Sequence, residues 1–488
     1  MTSDSCEVAI IGGGPAGLAG AAAMKACGLD VWLIDEQPRL GGQIYRQPPA
    51  GFRVDSWLTG RTYRRGKALL ERVERLADLR RLTAATVCGL FPAESMPEGG
   101  HRILYERDGK LGRLEAPHVL LATGCYELPV PFPGWHLPGV MSAGGIQTLL
   151  KSQRVAAGGK VVLAGSHPLL LVAADQLLGA GIHVAAVVLS QSPMTVARAL
   201  RSPASLLGAF GQLRHAAACL SRLRRARVPL LLGHVVAEAL GSDAVEAVRI
   251  RRSDRRGESR ELTCDAVGIC YGFLASSELA RQAGARSVWE SGSGWVVEAD
   301  AFMRSSVPGV SVAGELIGVA GAEAAALSGE IAGLGVAVDC RRLESATALR
   351  RVRALRRRLE RARRFARLLA QLSSPTPQLL QSIATPATLL CRCEDITVGE
   401  LAAALQREPT IASASAAKLL TRVGMGTCQG RMCETAVRWL IADRRDSALN
   451  AIAGYVPRVP VKPVRLEAIA ALAREADSMP GDPDGHVA

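Results

Sequence analysis

Short apolar runs alternate with glycine turns and helical patterns in the first part of the chain. Residues 6–11 form an apolar run rich in β-branched side chains, which predicts a buried strand. A helix is expected over residues 18–26, and a second buried strand over residues 30–34. Strand, helix and strand in this order predict a βαβ unit and hence an α/β fold with parallel strands.

The same pattern returns in the middle of the chain. Strands are expected over residues 161–164 and 183–189, with a helix over residues 169–179 between them. This internal repeat of architecture predicts two nucleotide-type domains. A chain of 488 residues with 48% hydrophobic content can form several such cores.

A G-x-G-x-x-G turn, formed by Gly12, Gly14 and Gly17, links the first predicted strand to its helix. In dinucleotide-binding folds these glycines allow a tight turn, a close approach to pyrophosphate, and close packing of the helix on the strand. Asp35 ends the next strand, where an acid that binds ribose hydroxyls is expected. A purely structural glycine turn is the alternative, but it leaves the spacing to Asp35 unexplained.

The equivalent loop of the second unit, residues 165–170, has the sequence G-S-H-P-L-L. His167 and Leu170 replace the second and third glycines, and no acid clearly ends the next strand. We therefore expect a nucleotide-type fold without NAD(P), with a working NAD(P) site as the alternative. His167 is interpreted as a capped surface histidine, or alternatively as a contact to another ligand.

Positive charge is concentrated in one segment. The net charge is +14, and residues 341–367 contribute 12 arginines and only two acids. No nucleic-acid-binding motif accompanies them, so nucleic acid is not an expected partner. A helix over residues 341–372 either packs on its own domain with a solvated arginine face or docks on an acidic partner subunit, and residues 373–377 predict a linker. Its apolar stripe is Leu349, Val352, Leu359, Ala362, Ala366 and Leu369.

Four of the 12 cysteines form two pairs near the end of the chain: Cys391, Cys393, Cys428 and Cys433. Such a set can hold an iron–sulfur cluster or a zinc ion. The C-x-C spacing is uncommon for structural zinc, and glycines between residues 424 and 430 allow backbone N–H groups to approach bridging sulfides. A [2Fe–2S] cluster is therefore favoured, and structural zinc or no metal are the alternatives. The absence of C-x-x-C from the sequence argues against a dithiol reductase.

Several segments resemble one flavoprotein family over nearly the full length. LIDEQPRLGGQIYRQPP, LLATGCYELPVPFPGW, VAGE and the cysteine-rich end occur in the same order in the FAD-binding alpha subunit of opine oxidases, D-hydroxyproline dehydrogenases and hydrogen cyanide synthase. CRCEDITVGEL and TRVGMGTCQGRMC are similar to the [2Fe–2S] domain of bacterioferritin-associated ferredoxin, although the last pair here is C-x4-C. The segment YVPRVPVKP resembles the tail of the same family.

The resemblance implies a two-dinucleotide-binding-domain flavoprotein, in which a Rossmann-like FAD domain contains an inserted NAD-type domain and is followed by a small α-helical [2Fe–2S] domain. The expected boundaries are 1–128 and 285–340 for the FAD domain, 129–284 for the second nucleotide-type domain, 341–377 for the basic helix and linker, 386–445 for the [2Fe–2S] domain and 446–488 for the tail.

The resemblance also implies the residues that bind each cofactor. The four paired cysteines would hold the cluster, and no residue is assigned to act on substrate. Glu315 stands where the family motif has an aspartate. FAD would contact Gly12, Gly14, Pro15, Ala16, Gly17, Asp35, Glu36, Gly42, Gln43, Thr123, Gly124, Gly314 and Glu315.

In such a family the C–N bond of an amino acid or opine is oxidised on a beta flavin subunit related to D-amino-acid oxidases. A small ferredoxin-like gamma subunit can be present, and electrons pass to a respiratory acceptor. We therefore expect an FAD and [2Fe–2S] electron-transfer subunit. The alternatives are a self-contained NAD(P)H-dependent ferredoxin-type reductase and a redox-sensing scaffold. Without a visible signal peptide or membrane-length apolar run, a cytoplasmic location is expected, with peripheral attachment to the inner face of the membrane as the alternative.

Overall fold

Two parallel five-stranded sheets dominate the protein. The structure is a computed structural model that describes residues 4–48, 52, 61–93, 100–195, 210–254 and 258–477. Four strands of the first sheet are buried over nearly their whole length, which explains their continuous apolar runs, whereas Arg80 and Arg81 of the edge strand are exposed. In spatial order this sheet contains Val310–Val312, His118–Leu121, Val8–Ile11, Val31–Ile34 and Arg80–Leu82.

The second sheet confirms the predicted repeat of architecture. The helix Leu169–Gly179 and the strand His183–Leu189 have the bounds predicted from the sequence. The neighbouring strands are all parallel. In spatial order this sheet contains Val140–Ser142, Ala266–Cys270, Lys160–Gly165, His183–Leu189 and Leu230–Leu232.

Smaller sheets flank these two. The strand predicted over residues 6–11 is shorter than expected and begins only at Val8. The preceding residues Asp4–Ser5 form a separate strand that pairs in a different sheet. The flanking sheets, in spatial order, are Asp4–Ser5, Lys110–Ala116, His101–Arg107 and Thr86–Phe91; His234–Leu240, Ala247–Arg252 and Ser259–Thr263; Phe273–Ala275 and Cys125–Glu127; Ser287–Glu290 and Gly294–Val297; and Leu389–Cys391 and Ile396–Thr397.

None of the helices in the described ranges combines the length and the apolar composition needed to cross a bilayer. The α-helices are Pro15–Lys25, Arg61–Glu74, Ala143–Thr148, Leu169–Gly179, Phe210–Arg225, Glu278–Gln282, Ala322–Asp339, Ser345–Ser373, Pro377–Ile383, Val398–Arg407, Ala414–Thr421, Glu434–Arg444 and Leu466–Asp477; a π-helical turn covers Leu149–Gln153, and 3₁₀ turns cover Gly314–Ile317 and Leu449–Ala451.

The helices Pro15–Lys25 and Ala322–Asp339 pack at very short distance. A Cβ atom on Gly329 would lie 2.0 Å from the carbonyl oxygen of Ala16, and one on Gly333 would lie 2.8 Å from that of Gly20. Only glycine therefore fits at these two positions of the second helix. The high glycine and alanine content of the helix Ala322–Asp339 serves this close packing.

The arginine-rich helix Ser345–Ser373 packs on the helix Ala322–Asp339 and exposes most of its arginines. Its buried face includes Ala348, Val352, Leu355 and Leu359. The predicted stripe was wrong at Leu349, which is 39% exposed, and it missed Ala348 and Leu355. Near the start of the arginine-rich helix, the face that Ala322–Asp339 covers is shifted by one residue from the most apolar face.

The predicted linker at residues 373–377 contains a short non-helical connection, residues 374–376, between two helices. Ser373 is buried and its carbonyl accepts a hydrogen bond from Ser166. A short helix, Pro377–Ile383, starts directly afterwards, with proline at its first turn. Ser373 ends one helix and Pro377 begins the next. The side chains of Ser166 and Gln191 donate to the carbonyl groups of Ser373 and Leu372 at the end of the first helix.

The C-terminal segment packs back onto the first part of the chain. The backbone N–H of Val461 donates to the carbonyl of Cys88 at 2.8 Å, and Ala468 is buried with Cys88 and Leu111. Residues 478–488 of the predicted tail lie outside the described residues.

Candidate functional site

One cavity of about 2140 Å³ lies between the two nucleotide-type units. It brings together twelve of the thirteen residues expected to contact FAD, and these come from four separate sequence segments. Gly17 is the exception, since it packs behind the loop. The twelve are Gly12, Gly14, Pro15, Ala16, Asp35, Glu36, Gly42, Gln43, Thr123, Gly124, Gly314 and Glu315.

Bare backbone forms the floor of this cavity at the glycine loop. Gly12 has φ +109°, and a Cβ there would lie 2.3 Å from the carbonyl oxygen of Ala122. A Cβ on Gly17 would lie 1.8 Å from the carbonyl oxygen of Gly12, which explains why the helix can start so close to the strand. Gly42 also lies close to Gly14, and a Cβ on Gly42 would be 2.8 Å from Gly14 Cα. The loop therefore offers a pyrophosphate group backbone N–H groups and no obstructing side chain.

Asp35 stabilises this loop through hydrogen bonds to backbone N–H groups. Its Oδ2 accepts a hydrogen bond from Gly13 N–H at 2.5 Å, and its Oδ1 accepts one from Gln37 N–H at 2.7 Å. Burial raises the pKa of the carboxyl group above its ordinary value, despite these two hydrogen bonds. The neighbouring Glu36 pairs with Lys462 of the C-terminal segment. A contact from Asp35 to a ribose stays a prediction, but its role in holding the loop is evident.

Thr123 and Gln43 fix the middle of the cavity wall. The Thr123 hydroxyl donates to the carbonyl of Ser276 at 2.6 Å, and the Gln43 amide donates to the carbonyl of Cys125 at 3.1 Å. These bonds connect the first unit to the strand pair through which the chain passes into the second unit.

Glu315 fixes the turn before the helix Ala322–Asp339. Its two carboxylate oxygens accept hydrogen bonds from the N–H groups of Ala320 at 2.7 Å and Gly321 at 3.1 Å. Burial raises the pKa of this carboxyl group, while the two N–H donors act in the opposite direction. The longer side chain thus reaches the backbone of the following turn and remains on the cavity wall.

The second glycine loop has a different structure. Gly165 lies so close to Cys270 that a Cβ would be 2.0 Å from its carbonyl oxygen, so this glycine serves sheet packing. His167 Nδ1 accepts a hydrogen bond from Leu169 N–H at 3.1 Å, and its ring meets Phe273 edge-on at 4.9 Å. Burial lowers the His167 pKa to about 4. The histidine is capped as predicted, but it lines the cavity and not the outer surface, and Leu170 is fully buried.

The four clustered cysteines lie in two pairs. Cys391 ends a short strand and shares a hydrogen bond with Cys433, which directly precedes the helix Glu434–Arg444. Cys393 and Cys428 interact in the same way. The hydrogen bond from Cys433 lowers the Cys391 pKa to about 6, so this thiol ionises readily.

This arrangement suits two irons better than one zinc ion. Within the described ranges, no three His, Cys, Asp or Glu side chains converge on a single metal position. Structural zinc needs four ligands around one ion, whereas a [2Fe–2S] cluster spreads four thiolates over two irons. The Gly424 N–H already points to Cys391 Sγ at 3.5 Å. A Cβ on Gly426 would lie 2.1 Å from that of Cys393, so glycine is required beside the thiols.

Arg431 connects the cysteines to the large cavity. It lies between Cys428 and Cys433 and lines the cavity itself. Its Nε atom lies 3.2 Å from a carboxylate oxygen of Glu278, and it also donates to the carbonyl of Val461 at 3.0 Å. The same loop therefore contributes to the cysteine cluster and to the wall of the FAD site.

Buried charges and tryptophans fix the orientation of the cysteine-rich unit. Glu434 accepts a hydrogen bond from Trp295 Nε1 at 2.7 Å. The fully buried Arg438 stacks 3.8 Å from the ring centroid of Trp289 and donates to the carbonyl of Ile452. Burial raises the pKa of Glu434, while the charge of Arg281 opposes this effect. Removal of Arg281 or Arg438 would therefore weaken the compensation of the buried Glu434 carboxylate.

Several cavity residues were missed by the sequence reasoning. Glu278 and Lys462 carry no local signal, because their partners lie far away in sequence. Arg431 could have been found, since it lies inside the C-x4-C segment. The segment that contains Lys462 was noted only as a family-like tail.

Comparisons with known proteins agree with this geometry. The family described as pyridine nucleotide-disulphide oxidoreductase matches residues 6–330, and the BFD-like [2Fe-2S] binding domain matches residues 389–443. These two matches imply FAD in the large cavity and a [2Fe–2S] cluster at the four cysteines, where the residues fit both groups.

Curated relatives match over nearly the full length. The HcnB subunit of hydrogen cyanide synthase from Pseudomonas aeruginosa is 32% identical, covering 96% of this chain and 99% of the relative. An opine oxidase subunit from Agrobacterium tumefaciens is 34% identical, covering 98% of this chain and 94% of the relative. The alpha subunit of sarcosine oxidase from a Corynebacterium species is 26% identical over 62% of this chain and 30% of its own length.

Solved structures confirm the fold. L-proline dehydrogenase from P. horikoshii superposes with a TM-score of 0.70 at 22% identity, covering 95% of this chain and 79% of that one. T. acidophilum thioredoxin reductase gives a TM-score of 0.51 at 19% identity, covering 69% of this chain and 99% of that one. The chain is thus an FAD-dependent oxidoreductase that belongs to the pyridine nucleotide-disulphide oxidoreductase family and, within it, to the family of these opine oxidase and hydrogen cyanide synthase subunits.

Proposed function

We propose that this chain is the electron-transfer subunit of a hetero-oligomeric dehydrogenase that oxidises the C–N bond of an amino acid or opine. Its relatives include proteins named as subunits of opine oxidase, hydrogen cyanide synthase and sarcosine oxidase. On this proposal the substrate is oxidised on a beta flavin subunit related to D-amino-acid oxidases. This chain then carries the electrons towards a respiratory acceptor, which would place the complex at the inner face of the cell membrane.

The observation that carries the proposal is the position of Arg431 on both the cysteine loop and the cavity wall. FAD takes up electrons in pairs and a [2Fe–2S] cluster passes them on singly, so the two cofactors convert one kind of transfer into the other. The ion pair with Glu278 keeps the cysteine loop against the FAD cavity. The glycine loop with Asp35 presents N–H groups to the pyrophosphate, and the walls fixed by Thr123 and Glu315 orient the rest of the cofactor.

The proposed division of labour follows the predicted boundaries. Residues 1–128 and 285–340 would bind FAD, 129–284 would form the second nucleotide-type unit, 341–377 would connect, and 386–445 would bind the cluster. In the second unit His167 and Leu170 occupy glycine positions, which supports a domain that does not bind NAD(P) in the usual way. A small ferredoxin-like gamma subunit is a further proposed partner.

An anaerobic titration of the purified holoprotein tests this function. We expect that neither NADH nor NADPH bleaches the flavin absorbance, that dithionite bleaches it fully, and that the chain alone does not oxidise amino acids. In Cys391→Ser, flavin reduction by dithionite should persist while transfer to a one-electron dye is lost. Stoichiometric bleaching by NADH would contradict the proposal and favour a self-contained reductase. Robust amino-acid oxidation by the isolated chain would also contradict it.

A further inference from the structure

In the described part of the chain, Lys151 is a buried cation without a counter-ion. It lies in the π-helical turn Leu149–Gln153, is only 3% exposed and lines the large cavity. Its ammonium group lies 5.7 Å from the ring centroid of Tyr63. Among the residues that the structure describes, no carboxylate or other acceptor hydrogen-bonds to this ammonium group. Desolvation, with a smaller effect of the Arg46 charge, lowers the Lys151 pKa to about 8, so the side chain is still largely protonated at neutral pH.

A second free donor lies beside it. The amide of Gln147 donates to Gln176 at 3.0 Å, and Gln176 in turn donates to the hydroxyl oxygen of Tyr63 at 2.6 Å. Both glutamines are buried, so this chain of hydrogen bonds is fixed. Because the Tyr63 oxygen acts as acceptor, its hydrogen is available to donate to a ligand. The Lys151 ammonium and the Tyr63 hydroxyl thus form a donor pair for which the described residues of this part of the cavity provide no acceptor.

Lys151 is the cation of this part of the cavity for which the described residues provide no acceptor. Arg46 donates from Nη1 to Gln37 at 3.1 Å and acts electrostatically on Asp35, although its buried Nε atom has no hydrogen-bond partner among the described residues. The acid closest to Tyr63 on the neighbouring helix is Asp175, which is already paired with Arg222. A single buried charge without a partner is unfavourable and calls for an anionic ligand.

The cavity has room for a ligand besides FAD. Its volume is about 2140 Å³, whereas ligand sites commonly measure roughly 300–1,000 Å³. Lys151, Gln147 and His167 line the cavity from the second unit, whereas the glycine loop that receives pyrophosphate lines it from the first.

We propose that Lys151 and Tyr63 bind the carboxylate of a small organic acid, such as an amino acid or a 2-oxo acid. One carboxylate oxygen accepts from the Lys151 ammonium and the other from the Tyr63 hydroxyl. A monoanion matches the charge of Lys151, which has no acceptor of its own, whereas Arg46 already donates to Gln37 and interacts with Asp35. This assignment goes beyond the proposed function, which gives this chain no ligand other than its cofactors.

Calorimetric titration of the FAD-loaded chain with pyruvate, and with methyl pyruvate as the neutral analogue, tests the site. Pyruvate should bind and its ester should not. Lys151→Met should weaken pyruvate binding by about tenfold or more, as expected for the loss of one charge-assisted hydrogen bond. Tyr63→Phe should weaken it by about fivefold. The control Lys110→Met, at an exposed lysine, should leave it unchanged.

Stability measurements show whether the variants fold. Without ligand, Lys151→Met should raise the Tm, because it removes an uncompensated buried charge, and it should keep its FAD. Unchanged pyruvate binding in Lys151→Met would overturn the proposal, and so would tighter binding of inorganic phosphate than of pyruvate. Loss of FAD in Lys151→Met, without pyruvate binding to the parent, would show that the group bound is a phosphate of FAD and would also overturn it. None of these outcomes depends on the nicotinamide titration that tests the proposed function.

Discussion

The guanidinium of Arg431 lies 3.2 Å from the carboxylate of Glu278, and this ion pair joins the cysteine loop to the wall of the FAD cavity. The side chains are only 17% and 15% exposed, so solvent screens the pair weakly. Glu278 follows the strand pair at the entrance to the cavity, whereas Arg431 is flanked by two cluster cysteines. Their contact holds the cysteine loop against the wall of the large cavity.

Loss of this ion pair should uncouple the two cofactors. Glu278→Gln should lower the free energy of unfolding by about 1.5–3 kcal/mol, the range for hydrogen bonds to charged groups. It should also slow electron transfer from the flavin to the cluster without loss of either cofactor. Denaturant unfolding and rapid-mixing absorbance after photoreduction would measure the two effects.

A control ion pair lies on a flanking sheet, outside the cysteine loop. Glu115 pairs with Arg102 at 3.0 Å, and Glu115→Gln should cost less than about 1 kcal/mol and leave electron transfer unchanged. Equal transfer rates in Glu278→Gln and the parent protein would show that the ion pair does not position the cluster.

Gly17→Ala should abolish FAD binding. Its new Cβ would lie 1.8 Å from the carbonyl oxygen of Gly12, so the helix would have to move away from the loop. Flavin content after purification and reconstitution with added FAD measures the effect.

Gly28→Ala is the control for this substitution. Gly28 has φ +76° but no atom within 4 Å of the Cβ position, so alanine there should cost about 1 kcal/mol of backbone strain. FAD content should be normal. A flavin-replete Gly17→Ala protein would contradict the assigned role of the loop.

Arg438→Ala should loosen the cysteine-rich unit. The substitution removes the stack on Trp289, leaves two backbone carbonyls without their donor, and removes one of the two positive charges that act on the buried Glu434, so that only Arg281 remains. We expect a loss of about 3–5 kcal/mol, as for other broken buried charge pairs, together with reduced iron content. Arg444→Ala, at an exposed position of the same helix, should change neither stability nor iron content measurably. Equal iron content in the two variants would contradict the prediction.

His167 should make the protein sensitive to mild acid. Burial lowers its pKa from 6.5 to about 4, so the folded state binds fewer protons than the unfolded state between these values. The free energy of unfolding is therefore unaffected by this histidine above pH 6.5. It decreases as the pH falls towards 4, by up to about 3 kcal/mol. His167→Gln should flatten the pH dependence of the free energy of unfolding in this window, whereas His183→Gln, at an exposed histidine, should not. Parallel pH profiles for parent and His167→Gln would refute this assignment.

Local features of the sequence determined the two cofactor sites. The spacing of Gly12, Gly14 and Gly17 can be recognised without a structure, because close backbone contacts within one βαβ unit admit only glycine. The same holds for the four cysteines, whose chemistry and spacing define a cluster site. The second nucleotide-type unit could also be recognised from the sequence, because a buried parallel strand must be apolar along its whole length.

The tertiary structure decided how these pieces meet. The sequence placed Leu349 on the buried face of the arginine-rich helix, but the packing partner selected Ala348 and Leu355. The sequence placed Asp35 at the end of its strand, but its hydrogen bonds from the N–H groups of Gly13 and Gln37 are visible only in the fold. Contacts such as Arg431 with Glu278 join distant segments, and no local periodicity encodes them. Short-range steric requirements can be read from the sequence, whereas the partner of a side chain depends on which surfaces the folded chain brings together.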